Sequence, residues 1–218
     1  QGISSIELGR RLGVTQTTAW KIKTKLAEAM RLTSDAARLD GDIEMDDAYL
    51  GGQRSGGKRG RGSPGKRPII VAVQKDEKGR PRRIKLRRIA RFKRPRVKSL
   101  TKRIIAPGAT VVTDGLSCFR GVADAGCRHV AIRTGSGRRA AQHPAFKWVN
   151  TMLGNIKSAI VGTYRAVTKK HVVRTLAEFE WRFNHRVDLA GMIPALGRAA
   201  VATKPQPYWW LKMADYGA

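Results

Sequence analysis

Acidic residues are scarce in this chain. Sixteen Asp and Glu stand against forty-four Lys and Arg, leaving a net charge of +28 over 218 residues. Such a surplus repels itself unless a polyanion neutralises it, which points to nucleic acid and to binding that weakens as salt rises. Cysteine is scarcer still. Cys118 and Cys127 form no Cys-x-x-Cys pair, so nothing supports a zinc knuckle, and two ordinary thiols are expected rather than a disulfide. Long apolar runs are missing too: no stretch approaches the roughly 18–20 residues that span a bilayer, and no signal peptide opens the chain. A cytoplasmic, nucleoid-associated protein without a membrane partner is expected. A hydrophobic content of 41% fits a globular core rather than a disordered basic tail. His129, His143, His171 and His185 show no ligand spacing, which favours structural or DNA-contact roles.

The few acids present are unevenly placed. Asp42, Glu44, Asp46 and Asp47 fall within six positions of "DIEMDDAYLGG", and "QRSGGKRGRGSPGKRP" follows directly. Like charges repel, so an exposed turn is one reading and a metal site facing a polyanion is the other. The loop 51–68 carries six cations, Arg54, Lys58, Arg59, Arg61, Lys66 and Arg67, and no acid. Residues 78–103 hold fourteen Lys or Arg and again no acid, a density that suits a DNA-backbone surface better than a merely solvated face.

Residues 4–30 predict two helices around a tight turn. Ser4 with Glu7 is a capping-box pattern, Leu8 and Leu12 line one face, and Gly13 ends the first helix. Thr15 can cap the second, whose apolar positions are Ile22, Leu26 and Met30. The pattern fits a helix-turn-helix over residues 1–36, with Gln16, Thr17, Lys21 and Lys23 reading bases or holding phosphates; a plain helical hairpin is the alternative. The start at Gln1, without Met and close to a helix, suggests that an N-terminal portion is missing.

From about residue 39 the period shifts to that of strands. "DIEMDDAYL", "PIIVAVQ" and "RIKLRRIA" predict an antiparallel meander; Val97, Leu100, Thr101 and Ile104 predict a helix, and "TVVTDG" a short strand ending on Asp114. "LSCFRGVADAG" suggests a helix, "HVAIR" a strand, and helices are expected over about 144–161 and 168–185. Trp148 and Trp181 are expected in the core, and "PYWWLKMADY" is expected to pack its tryptophans on the body. This order of elements is that of a ribonuclease H-like α/β fold: three antiparallel strands, then parallel strands, flanked by helices. It implies a catalytic domain over 37–190 and a C-terminal tail over 191–218.

In that topology the first and fourth strands are neighbours, so Asp46 and Asp114 converge. Paired carboxylates are what magnesium requires, since it takes oxygen ligands and keeps positions for water and phosphate. Asn150 lies 150 − 114 = 36 positions on, at the start of a helix, with Lys157 two turns further along the same face and Gly154 between them. A cation there can hold a phosphate. Alternatives stay open at each position: Asp47 in place of Asp46, although strand alternation sends the two to opposite faces; a turn-forming role for Asp114 before Gly115; a plain helix-start residue at 150; a solvated Lys157; and a surface role for Glu44.

"MDDAYLGG", "VVTDG", "WVNTMLGNIKSAIVGTY" and "EFEWRFNHR", in this order, resemble the DDE-type transposases of bacterial insertion sequences, in the branch with an Asp-Asp-Asn/Glu-Lys catalytic pattern. The resemblance covers about residues 40–187. It implies Asp46, Asp114 and Asn150 as metal ligands for Mg2+ or Mn2+, two ions in all, and Lys157 as the accompanying cation. It also implies double-stranded DNA as substrate, at element ends and target, with strand cleavage followed by strand transfer by a homo-oligomer. Three features depart from the pattern. Asn150 brings no charge, Arg165 stands where the branch has His, and the four-cysteine zinc ribbon often found upstream is absent. A DNA-binding relative without catalysis is therefore the second expectation, and an RNA-associated basic protein the third.

Overall fold

The computed structural model describes residues 2–51, 66–135, 143–164 and 167–213, without the Asp35 side chain. The expected DNA contacts Arg54, Lys58, Arg59 and Arg61, and the departure at Arg165, lie outside the described residues. Packing divides the chain into two units, residues 37–157 and residues 1–36 with 158 onward. The catalytic span expected to reach residue 190 is thus divided after Lys157.

The first unit is built on one five-stranded sheet. Its strands are β1 (Asp42–Leu50), β2 (Arg67–Lys75), β3 (Pro81–Arg88), β4 (Thr110–Thr113) and β5 (Arg128–Ala131), in the order β3-β2-β1-β4-β5. β1, β2 and β3 are antiparallel, whereas β4 pairs parallel to both β1 and β5. This is the expected run of three antiparallel strands followed by parallel ones. Every residue from Ile69 to Gln74 of β2 is buried, so this central strand is covered on both faces, as its unbroken apolar run requires. Edge strand β3 exposes Arg82, and its basic residues guard it against pairing with another sheet.

Ile43 and Met45 of β1, Ile70 and Ala72 of β2 and Val111 of β4 share one core cluster with helix α3 (Arg94–Ile104), which contributes Val97, Leu100 and Ile104. Phe119 from the 3₁₀ turn Ser117–Phe119 and Val122 from the short α4 (Arg120–Ala123) complete it. Fully burying a side chain such as Phe119 contributes about 1.5–3 kcal/mol. A Cβ on Gly121 would meet the Arg94 carbonyl and lie 2.8 Å from the Lys98 nitrogen, so α3 and α4 touch backbone to backbone. Cys118 and Cys127 are thiols buried in this core rather than a disulfide, and burial pushes the Cys127 thiol up. The opposite face is met by helix α5 (Lys147–Ala159), preceded by the 3₁₀ turn Pro144–Phe146 and burying Val149, Met152, Leu153 and Ile156.

The second unit is helical: α1 (Ser5–Leu12), α2 (Gln16–Asp35), α6 (Val172–Asn184), α7 (Leu189–Ala202) and α8 (Tyr208–Met213), with a π-helical turn at Ile160–Tyr164. The caps are as expected. Ser4 accepts from the Glu7 N–H at 3.1 Å, Thr15 from the Thr18 N–H at 3.2 Å, and Gly13 closes α1 at φ 64°. Other expectations fail here. Leu12 is 52% exposed, and α2 buries Ala19, Thr24, Ala27, Glu28, Ala29 and Met30, whereas Ile22 and Leu26 are only half-buried. The expected tail is largely two helices; Trp209 is exposed and Leu211 is the buried anchor. No helix among the described residues is long and apolar enough to cross a membrane.

Candidate metal centre

β1 and β4 run side by side with Asp42 opposite Thr110, Ile43 opposite Val111 and Glu44 opposite Val112. Carrying that register two steps further sets Asp46 level with Asp114, one residue past the end of β4. Asp114 begins a tight turn: its Oδ1 accepts the Leu116 N–H at 3.0 Å, and Gly115 follows at φ 79°, where an L side chain would be strained. The turn-forming and the converging readings of Asp114 are therefore compatible. Carboxylate oxygens of Asp46, Asp47 and Asp114 lie within 4.8 Å of one another, and all three residues are half-buried.

Asp47 corrects the expectation that alternation separates it from Asp46. Alternation fixes the Cα–Cβ directions, not where the carboxylates end. Asp46 Oδ1 accepts the N–H of Asp47 at 2.8 Å, so its carboxylate folds along the strand toward its neighbour. Three carboxylates this close repel one another, and a cation placed among them relieves that repulsion. Oxygens on opposite sides of a bound Mg2+ are about 4.2 Å apart, twice the usual Mg–O distance. A cluster spanning at most 4.8 Å closes on that figure with small side-chain movements, and an all-oxygen donor set suits Mg2+ or Mn2+.

Glu44 also departs from expectation. It is 2% exposed and accepts the backbone N–H groups of Trp148 at 2.9 Å and Val149 at 3.1 Å through Oε2. Lys75 Nζ lies 3.9 Å from Oε1. Burial raises its pKa, opposed by the two N–H bonds and then by Lys75 and Lys147. The carboxylate thus caps α5, whose fourth residue is Asn150. Its strand neighbours Ile43 and Met45 are buried as well, and no local sequence signal sets Glu44 apart from the other acids of this stretch.

Asn150 is half-buried and Lys157 exposed, and seven positions on a helix bring the two to one face. Gly154 lies between them on that face, with nothing within 4 Å of where a Cβ would stand. Trp148, expected in the core, is only partly covered: its indole N–H donates to the Gly79 carbonyl at 2.7 Å, which ties α5 to the turn between β2 and β3. Trp181 is buried as expected.

Of the expected DNA contacts that are described, Gln16 and Thr17 are exposed in the first turn of α2, Lys66 is exposed, Lys21 and Arg67 are half-buried, and Lys21 Nζ sits 4.8 Å from the Tyr208 ring centre. Lys23 turns inward. Its ammonium bonds the Ile3 carbonyl and, at 2.8 Å, the Tyr164 hydroxyl; Glu178 is 3.7 Å away, and burial lowers its pKa. Within the run 78–103, Lys85 is 1% exposed, Arg80 pairs with Asp76 at 3.0 Å and Arg94 with Asp124 at 2.6 Å. Arg82, Arg91, Lys93, Arg96, Lys98, Lys102 and Arg103 are exposed.

No curated protein matches the chain. Among solved structures it is similar to the Mos1 strand transfer complex, at 9% identity and a TM-score of 0.36, covering 93% of this chain and 75% of that one. It is also similar to the Mos1 mariner paired end complex with Mn, at 10% identity and a TM-score of 0.24, covering 93% and 76%, and to a pre-cleavage Mos1 transpososome, at 8% and 0.22, covering 100% and 76%. Likeness at these scores supports no statement about this chain. The family comparison does: residues 38–184, well over half of the chain and including Asp46, Asp114, Asn150 and Lys157, match the ISXO2-like transposase domain, and the chain belongs to that DDE-type transposase family.

Proposed function

We propose that this chain is the transposase of a bacterial insertion sequence, with a ribonuclease H-like catalytic core that cuts DNA at the ends of its element and joins those ends to target DNA. The observation that carries this reading is the convergence of the Asp46 and Asp114 carboxylates, distant in sequence, within a transposase-family domain. In this reading Asp46, Asp114 and the amide oxygen of Asn150 hold the cations. When bound, Mg2+ or Mn2+ would supply charge neutralisation to the attacking and leaving oxygens of an in-line phosphodiester displacement. Water adds to phosphorus as the bond to the 3′-oxygen breaks, leaving a 3′-hydroxyl and a 5′-phosphate. That hydroxyl then attacks a target phosphorus and displaces the target's own 3′-oxygen, so bonds made and broken balance. Lys157 holds a phosphate beside the carboxylates, and the open face at Gly154 admits the strand.

α1 and α2 serve as a helix-turn-helix in which Gln16, Thr17 and Lys21 face the major groove of the terminal repeats. Lys23 is left out of that set because its ammonium is engaged internally. Arg54, Lys58, Arg59, Arg61, Lys66 and Arg67, with the exposed cations of residues 78–103, track the backbone. Two ends are handled by a homo-oligomer. The test is cleavage of end-labelled duplex carrying the element's termini in Mn2+. Asp114→Asn is expected to bind the duplex and not cut it, and normal cutting by that variant would overturn the assignment. The neutral Asn150 favours a second reading, DNA binding without catalysis. Binding without cleavage by the native chain, with cleavage gained on Asn150→Glu, would establish it.

A further inference from the structure

The geometry points to Glu44 as a positioning residue that sets where the helix bearing Asn150 and Lys157 stands relative to Asp46. This rests on the catalytic reading above and adds a residue to it. Glu44 and Asp46 are two apart on β1, so their side chains leave the same face of the sheet, toward α5. Glu44 spends one oxygen on the Trp148 and Val149 N–H groups, which have no partner inside their own helix, and Val149 immediately precedes Asn150. Its other oxygen is 3.9 Å from Lys75, and the residue is 2% exposed, so its carboxylate has no route to a substrate of its own. One buried side chain therefore links the strand of one proposed ligand to the helix of another.

The link is short and directional. Two amides converge on a single oxygen, which fixes both the height of α5 above the sheet and its rotation about its axis. A turn of a helix end by a fraction of a residue would carry the Asn150 amide away from the Asp46 carboxylate. The indole of Trp148 on the Gly79 carbonyl restrains the same helical turn from a second side. A metal site built from two elements needs such a restraint, because ligands displaced by about an ångström lose much of their effect.

Length and charge at position 44 separate this role from others. Glu44→Gln keeps an acceptor oxygen at the same reach. Glu44→Asp keeps the charge and withdraws it by about 1.5 Å, one carbon–carbon bond. A positioning role predicts that Gln retains most of the function and Asp loses it; a metal ligand or a purely electrostatic role predicts the reverse. The readouts are calorimetric titration with Mn2+ alone, hydrogen exchange at the Trp148 and Val149 amides, and cleavage kinetics. For Glu44→Asp, Mn2+ affinity and kcat should each fall on the order of 10–100-fold, the range for outer partners of metal ligands, with KM for DNA unchanged and faster exchange at both amides. Glu44→Gln should stay near the native values with slow exchange. Native behaviour of Glu44→Asp, or a larger loss in Gln than in Asp, overturns the inference while leaving the catalytic reading intact. Failure of the native protein to bind Mn2+ overturns both.

Discussion

The two units bury charge in different ways. In the sheet unit the main core is apolar, and among the described residues the fully buried acidic and basic side chains, Glu44 and Lys85, sit on strands. In the helical unit the interior holds Glu28, Arg174, Glu178 and Glu180, all under 10% exposed. Arg174 Nε bonds Glu28 at 3.2 Å and its Nη1 donates to the Leu211 carbonyl at 2.8 Å, while Arg31 bonds Glu28 at 2.7 Å. Ser34 bonds Glu180, and the Tyr164 hydroxyl donates to Glu178; burial first, then the Glu178 charge and that bond, push the phenol far above its ordinary value. Three of a scarce set of sixteen acids are thus locked inside helices. Buried ion pairs contribute little net stability over apolar packing and are costly to break.

Breaking that network should give the largest effect. Glu28→Ala removes the Glu28 carboxylate from the buried Arg174 guanidinium and should cost about 3–5 kcal/mol. Hydrogen exchange should show the loss in α2 and α6, with β1 and β2 protected as before. Replacing the pair together, Glu28→Leu with Arg174→Met, should recover most of it, and failure to recover would show that the network does more than pair charges. In the sheet unit, Ile43→Val should cost about 0.5–1.5 kcal/mol by leaving a small cavity beside Val111, measurable by denaturant unfolding. Thr15→Ala removes the cap of α2 and should cost about 1 kcal/mol, with faster exchange confined to that helix's first turn.

The smallest effect is one of pH. Burial lowers the pKa of His129 in the sheet unit; burial, then Arg174 and Lys170, lower that of His171 in the helical unit. Each folded pKa lies below the unfolded value near 6.5, so the stability each contributes is full above about pH 6.5 and is lost as pH falls toward the folded value. His171→Gln should flatten the acid limb of helical-unit unfolding and His129→Gln that of the sheet unit. Identical acid limbs in native and variant proteins would refute the assignment.

Local signals made much of this legible. Alternation in β1, apolar runs in the others and turn residues between them marked all five strands, the caps at Ser4, Gly13 and Thr15 marked α1 and α2, and the order of elements implied that β1 and β4 are neighbours. That adjacency is why Asp46 and Asp114 could be paired from sequence. What escaped depends on where a side chain's end goes. Nothing in "DIEMDD" says that Glu44 turns into a helix start roughly a hundred residues away, or that Asp46 bends toward Asp47. Lys23 and Lys85 looked like surface cations because charge predicts exposure well only on average; here an ammonium found a half-buried hydroxyl in one case, and a position in the middle of a strand decided the other. α7 was hidden by Pro194 and by glycines at 191 and 197, which lower helix propensity without preventing a helix capped by Asp188.

The contact at Gly121 has a consequence for how this molecule can vary. With no side chain interposed, the gap between α3 and the segment that follows Asp114 is set by main-chain atoms, which have no rotamers with which to adjust. Any larger residue at 121 would therefore have to push α3 and α4 apart.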